Sequence, residues 1–358
     1  MPHSSHGHTS ACKLRRNQPP AAAVGLTRRA LATGGIGSIY CPTMVDPRAP
    51  TPAAPAAIDA QALAHVLARQ ARAAQPPWLH QEVARRMAQR LPVIKQPPHT
   101  WLDWWAHTGA GAPAVAAIWP QAQRSVAEPT AALAERSRAA LAAPWWAWGR
   151  RRDQAVTRVW LDHQVPLAQA DMLWANLCLH AGVDATATLA AWHRALSVGG
   201  FVMFSSYGPD TLRELRELYA QQGWPAPHPP YADMHNVGDA LLHGGFADPV
   251  MDQEVLQLTW SSPQALLAEL RGLGGHLAPG CTPGLRTVRW RERLLQALAR
   301  RADAQGRITM SFELVYGHAY KATPRTARGD LATVSLEALR ATLPQRNPGP
   351  ARIGFEPA

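Results

Sequence analysis

The spacing of apolar positions changes character along this chain of 358 residues. Residues 1–57 are rich in Pro, Ala, Ser and Gly and show no sustained period, which is typical of a disordered tail. From residue 58 onward, apolar side chains recur at helical spacing. This spacing predicts a first helix over about 58–67 and a second over about 79–91.

Short apolar runs then alternate with helical segments. Strands are predicted at about 99–104, 124–128, 156–161, 170–175 and 201–204, with helices between most of them. This alternation is typical of a parallel sheet that carries helices on both faces.

Apolar and polar residues alternate strictly in the last third of the chain. Leu256, Leu258 and Trp260 show this period of two, and so do the residues over 308–316. A period of two indicates antiparallel strands with one covered face. Helices are predicted between them, over about 262–273 and 288–302. The parallel sheet is therefore expected to finish in an antiparallel pair.

The charge of the chain is moderate once its tail is set aside. There are 36 Lys and Arg against 25 Asp and Glu, and five of the basic residues but no acidic one lie in residues 1–43. The excess of basic over acidic residues in the rest of the chain fits an acidic partner, and it is smaller than expected for a nucleic-acid binder. No apolar run is long enough for a membrane helix.

The four cysteines show neither CxxC pairs nor metal-ligand spacing, so no metal is predicted and a reducing cytoplasm is expected. The start of the chain leaves two interpretations open. Residues 27–35 weakly resemble a twin-arginine export sequence, but glycines interrupt the short apolar part and no clean cleavage site follows. A disordered tail, or initiation at Met44 instead of Met1, is favoured.

Residues 101–111 (WLDWWAHTGAG) have the layout of a cofactor-binding loop with unexpected residues. This layout is a strand that ends in Asp, followed by a glycine-containing turn and a helix. It presents backbone N–H groups to a ligand, and glycine lets the backbone approach that ligand closely. Trp105 and His107 stand at two positions where glycine is expected. Activity therefore depends largely on these two residues.

The order of elements is similar to that of class I S-adenosylmethionine-dependent methyltransferases. Residues 172–180 and 192–201 resemble their fourth and fifth strands, and residues 270–274 and 306–312 resemble malonyl-acyl-carrier-protein O-methyltransferases of biotin synthesis. The resemblance covers about 76–322 and is weakest from 100 to 165.

The resemblance implies a Rossmann-like α/β fold with a seven-stranded, mostly parallel sheet and an antiparallel last strand. It places the methyltransferase domain at 58–322, with helical lid insertions at about 223–250 and 274–303. A tail with a short helix is expected over 323–358.

The resemblance also implies S-adenosyl-L-methionine as cofactor and assigns five residues to it. Asp103 matches the acidic end of the first strand, and Gly109 matches the last glycine of the loop. Glu128 takes the ribose hydroxyls through charge-assisted hydrogen bonds. Asp162 lies near the adenine amino group, and Asn176 lies beside the methionine moiety.

Three of these assignments have a structural alternative. Glu128 precedes a helix start and could only cap that helix. Asn176 stands among apolar residues and needs a polar partner in any case. Asp162 lies in a polar turn. His107 could fill the cofactor cavity instead of serving the cofactor.

Methyl transfer to a carboxylate depends mainly on alignment and exclusion of water, so the lack of an acid–base dyad does not argue against it. Arg271 is predicted to hold the acceptor carboxylate because its guanidinium matches carboxylate geometry. His180, Tyr207 and His235 are predicted to line the acceptor pocket.

The leading interpretation is a cytoplasmic, monomeric enzyme that methylates a malonyl thioester on an acidic acyl-carrier protein. Arg85, Arg86, Arg90 and Arg150–Arg152 are predicted to dock this partner. A degraded methyltransferase fold that binds a partner without catalysis is the alternative, and Trp105 argues for it. Nucleic-acid binding at Arg150–Arg152 is a third possibility without a recognisable module.

Overall fold

The structure is a computed structural model that describes residues 58–141, 157–275, 277–278 and 286–323. The predicted N-terminal tail, the Arg150–Arg152 run and nearly all of the predicted C-terminal tail lie outside these residues.

Seven strands within the described residues form one sheet. They are β1 (Thr100–Trp104), β2 (Gln123–Glu128), β3 (Val159–Leu161), β4 (Ala170–Ala175), β5 (Leu196–Tyr207), β6 (Phe246–Trp260) and β7 (Ile308–Lys321). Their order is β3-β2-β1-β4-β5-β7-β6. Strands β1 to β5 pair in parallel, and β7 runs antiparallel to both β5 and β6. The predicted fold class is confirmed.

Ten helices in the described part of the chain accompany the sheet. They are α1 (Ala60–Arg72), α2 (Trp78–Ala88), α3 (Ala106–Gly109), α4 (Ala112–Ile118), α5 (Ala131–Leu141), α6 (Ala185–Ala195), α7 (Arg213–Gln221), α8 (Met234–His243), α9 (Pro263–Leu273) and α10 (Val288–Ala299). Side-chain caps fix several of their starts, because Asp59, Asp184, Asp233 and Ser262 each accept a hydrogen bond from the first turn. None of the helices in this part is long and apolar enough to cross a membrane.

The central strand β5 shows why its sequence is an unbroken apolar run. Phe201 and Met203 pack into a cluster on one face of the sheet, whereas Val202 and Phe204 pack into a second cluster on the other face. Helices cover both faces, so neither set of positions has to be polar.

Residues 223–250, expected as a lid, divide into three parts. Residues 227–231 contribute to a cavity wall described below. Val237 and Leu241 of α8 are buried in the second cluster together with Val202 and Phe204. Strand β6 begins at Phe246. Only the first part is therefore an irregular segment, because α8 packs on the sheet.

Arg85 and Arg86 of α2, and Arg90 in the turn after it, are paired with carboxylates. The Nη1 atom of Arg86 lies 2.8 Å from Oε2 of Glu254, and Nη2 of Arg90 lies 2.6 Å from Oδ2 of Asp252. Arg85 is paired within its own helix. These contacts attach α2 to β6 and reduce the positive charge offered to a partner.

Candidate cofactor and acceptor site

A cavity of about 680 Å³ lies beyond the carboxyl ends of β1, β4 and β5. Open α/β sheets bind their ligands at this edge. His180, Tyr207 and Arg271, the three residues predicted to serve the acceptor, all line the cavity. His235 does not, because it lies exposed on α8.

His180 and Tyr207 form a neutral pair in the wall, with their ring centres 4.3 Å apart. Within the described residues, the shielded Nδ1 of His180 and the hydroxyl of Tyr207 have no hydrogen-bond partner. Burial, with the nearby His80 and His228, lowers the pKa of His180 to about 3. Burial raises the pKa of Tyr207. The pair can therefore form hydrogen bonds with a ligand without carrying charge.

The charged groups on the described wall are positive. Arg69, Arg271, Arg286 and Arg291 line the cavity, and no Asp or Glu appears among the described lining residues. Nη2 of Arg69 donates to the carbonyls of Arg271 at 2.9 Å and Gly274 at 3.2 Å, which attaches α1 to the end of α9. Such a wall favours an anionic ligand.

The loop after β1 begins with a residue in the left-handed backbone region. Trp105 has φ 54° and ψ 49° and precedes α3. A side chain in this region costs about 1–3 kcal/mol, which explains why glycine was expected there. His107 lies inside α3 and has no positive φ. Of the two unexpected residues, Trp105 is thus the one that strains the backbone.

Glu128 ends β2 and is fully buried beside this loop. Its Oε1 accepts hydrogen bonds from the backbone N–H of His107 at 2.8 Å and from Oγ of Ser137 at 2.5 Å. Its Oε2 has no partner among the described residues. Burial raises the pKa of Glu128 to about 7, although the bonds from Ser137 and His107 oppose this effect.

Asn176 follows β4 and holds the other end of the loop. Its Nδ2 donates to the carbonyl of Gly109 at 2.6 Å and to that of His80 at 2.8 Å. Its Oδ1 accepts from Oγ of Ser205 at 2.7 Å. Both N–H groups of the amide are used inside the protein, so this side chain is above all a clamp on Gly109.

Asp103 is buried inside β1 and faces Arg124. Nε and Nη2 of Arg124 lie 3.0 Å and 2.6 Å from its Oδ2. Burial raises the pKa of this carboxyl, and the charge and hydrogen bonds of Arg124 counteract the shift. Asp103 does not line the described cavity. Its contacts indicate that it joins β1 to β2.

Asp162 begins the turn after β3 and contacts the loop through Trp105. Its Oδ2 accepts a hydrogen bond from the indole Nε1 of Trp105 at 3.2 Å. Trp105 also lines the cavity, whereas Asp162 and Glu128 do not. The indole therefore lies between the acidic side of the site and the open space.

The chain has matches among curated proteins, although no protein-family model matches it. It is 35% identical over 263 residues to the malonyl-[acyl-carrier protein] O-methyltransferase of Gallionella capsiferriformans, which covers 72% of this chain and 88% of the relative. It is 37% identical over 254 residues to the enzyme of the same name from Laribacter hongkongensis, covering 70% and 85%. The chain belongs to the malonyl-[acyl-carrier protein] O-methyltransferase family. The predicted family is confirmed.

The residues predicted to hold S-adenosylmethionine leave a hydrogen-bond acceptor unmet at Glu128, the residue predicted to take the ribose. The buried Oε2 of Glu128 lacks a donor, and a ribose hydroxyl supplies one. At Asp162, the residue predicted to accept from the adenine, Oδ2 already accepts the indole N–H of Trp105. The indole thus stands at the carboxylate predicted for the base.

The cavity wall of this methyltransferase also contains residues that were not predicted, among them Tyr231 and His228. The ring of Tyr231 lies 5.5 Å from those of His180 and Tyr207, and it stacks on His228 at 4.8 Å. Their segment had been assigned to a lid as a whole. An aromatic residue close to a histidine in a Pro-rich loop was the available indication.

Proposed function

We propose that this chain is an S-adenosylmethionine-dependent methyltransferase that esterifies the free carboxylate of a malonyl group on an acyl-carrier protein, for biotin synthesis. The observation that carries this proposal is the cavity beyond the parallel strands, whose described wall has four arginines and no acid. A malonyl thioester ends in a carboxylate, which such a wall attracts. Relatives of the chain are named for this activity.

Arg271 holds the acceptor carboxylate in this proposal. It lies in the last turn of α9 and lines the cavity. Arg69 positions this helix end by donating to the carbonyls of Arg271 and Gly274. A guanidinium can hold one carboxylate oxygen in place while the other oxygen remains the nucleophile.

His180 and Tyr207 orient the rest of the acceptor. Their unpartnered Nδ1 and hydroxyl groups face a carbonyl or carboxylate oxygen as neutral donors, the histidine in its Nδ1–H tautomer. The acceptor is already ionised, so neither residue has to remove a proton. Rate then depends on alignment and on the apolar wall that excludes water.

The cofactor supplies an electrophilic methyl group when bound. Glu128 accepts hydrogen bonds from the ribose, and Asp162 accepts one from the adenine amino group. Gly109 and Asn176 keep the loop in position, because Nδ2 of Asn176 holds the carbonyl of Gly109. Asp103 supports the same loop from within the sheet through its ion pair with Arg124.

The carrier protein docks on α10. Arg289, Arg293 and Arg300 are exposed and spaced four and seven residues apart, which places them on one face of the helix. None of them forms an ion pair with a described residue. Arg291 lines the cavity from the opposite side of the same helix, about 200° around it. An acidic carrier on the arginine face is therefore bound one helix away from the cavity, within reach of a long thioester arm.

Transfer of labelled methyl from S-adenosylmethionine to malonyl-acyl-carrier protein tests the proposal. We expect a base-labile methyl ester on malonyl-acyl-carrier protein and none on acetyl-acyl-carrier protein, which lacks the second carboxylate. Arg271→Ala should raise KM for the malonyl substrate about 10- to 100-fold, which corresponds to about 1.4–2.8 kcal/mol. Arg138→Ala, an exposed arginine of α5, is the matched control.

Equal methylation of the malonyl and acetyl substrates would contradict the carboxylate acceptor. An unchanged KM in Arg271→Ala, with activity retained, would remove Arg271 from the acceptor site. A monomeric state and a cytoplasmic location stay predictions; gel filtration with light scattering checks the first.

A further inference from the structure

Trp105 is the residue for which the proposed function gives no role. Glycine suits its left-handed backbone, yet the chain carries its largest side chain there. The indole is only half-buried, and it is packed against apolar clusters on the sheet and beside α1. A side chain that serves no purpose at a strained position would be costly to keep.

The partner of the indole is the same carboxylate that the adenine requires. Nε1 of Trp105 donates to Oδ2 of Asp162 at 3.2 Å. An adenine amino group is also a planar N–H donor on a flat aromatic ring. The indole thus reproduces both the shape and the hydrogen bond of the base.

The rest of the loop is held in place independently of the indole. The N–H of His107 is bound to Glu128, the carbonyl of Thr108 to Nδ1 of His80 at 2.8 Å, and the carbonyl of Gly109 to Asn176. The indole itself is held by one part-buried hydrogen bond and by apolar contacts, with no further polar partner among the described residues. Rotation of this side chain can therefore open the adenine side without unfolding the loop.

We propose that the Trp105 indole occupies the adenine subsite and must leave Asp162 before the cofactor nucleoside can enter. Trp105 is thus an internal competitor that lowers cofactor affinity. This inference rests on the proposed function, because it takes the acidic side of the loop as the cofactor site. It attributes the unusual loop to control of binding and not to loss of the site.

Calorimetric titration of the free protein with S-adenosylhomocysteine tests the inference. Trp105→Gly removes the competitor and suits the backbone at this position, so we expect its affinity to exceed that of the wild type at least tenfold. Trp119→Gly is the matched control, since Trp119 is also half-buried but packs on Phe201 of β5 and, among the described residues, forms no hydrogen bond with the loop after β1. Its affinity should equal that of the wild type.

A second measurement follows the indole directly and does not depend on a glycine variant. In ¹⁵N-tryptophan-labelled protein, Trp105→Phe identifies the Nε1–H resonance of Trp105 by its disappearance. We expect saturating S-adenosylhomocysteine to shift this resonance, because the indole loses its carboxylate partner. Asp162→Asn without ligand should shift the same resonance and leave that of Trp119 in place.

The outcomes separate the two ideas. Equal affinity of wild type and Trp105→Gly, or an unmoved Trp105 resonance at saturation, overturns the internal competitor and leaves the proposed function intact. If neither protein binds at ~1 mM ligand, weaker than about −4 kcal/mol, both ideas are overturned, and the non-catalytic alternative replaces them.

Discussion

Replacement of Glu128 by Gln should make the protein more stable at neutral pH. The carboxyl group is fully buried, and its Oε1 accepts from His107 and Ser137. Glutamine keeps this acceptor and has the same shape. It cannot ionise, so it avoids the cost of a buried charge.

The magnitude follows from the pKa of Glu128, which burial raises from 4.5 to about 7. The folded protein keeps this proton between these two values, whereas the unfolded chain loses it. Stability contributed by Glu128 is therefore complete below pH 4.5 and falls as the pH rises toward 7. At about 1.4 kcal/mol per pH unit, the loss is roughly 3 kcal/mol.

Urea denaturation at pH 5, 6, 7 and 8 measures this effect. The quantity to plot is the free energy of unfolding of Glu128→Gln minus that of the wild type. The pH-dependent contributions of His80 and His180, whose pKa values are lowered, are the same in both proteins and cancel in this difference. We expect the difference to grow by about 2.5 kcal/mol between pH 5 and pH 8, because the loss begins below pH 5. Glu135→Gln, an exposed residue of α5, should give a flat line. A flat line for Glu128→Gln as well would refute the reasoning.

Two further predictions concern the docking face and the loop clamp. Combined Arg289→Glu and Arg293→Glu should raise KM for malonyl-acyl-carrier protein at least tenfold. KM for malonyl-coenzyme A should stay within about twofold, because the arginine face binds the carrier protein and not the thioester. Steady-state kinetics with both substrates checks this, and equal effects on both KM values would rule out docking on α10. Asn176→Ala leaves the buried carbonyl of Gly109 without its 2.6 Å donor. It should lower the free energy of unfolding by about 1–3 kcal/mol, and a melting temperature within 1 °C of the wild type would contradict the clamp.

The sheet was predictable because periodicity depends on which faces are covered. The unbroken run in β5 follows from that rule. The alternation in β7 suggested one covered face, but this was wrong, because the polar residues Ser311 and Glu313 are buried as well. Helix α8 was not predicted, since its buried apolar side chains, Val237 and Leu241, stand in a segment rich in Gly, His and Pro. Local composition outweighed the packing that these two residues make with the sheet.

The candidate site was predictable where a residue follows the end of a strand. His180 and Tyr207 reach one cavity because the carboxyl ends of parallel strands share an edge. Partners distant in sequence were not predictable. The hydrogen bond from Trp105 to Asp162 joins residues 57 positions apart, and no local sequence pattern predicts it.

The contact between Arg69 and the end of α9 has a consequence for folding during synthesis. Arg69 is made early, but its two carbonyl acceptors belong to residues 271 and 274, about 200 positions later. Helix α1 can pack on α5 earlier, because Arg136 donates to the carbonyl of Ala71, but Arg69 finds its acceptors only after β6 has been synthesised. Arg271, Arg286 and Arg291 are made late as well, so an unfinished chain lacks most of its anion-binding wall.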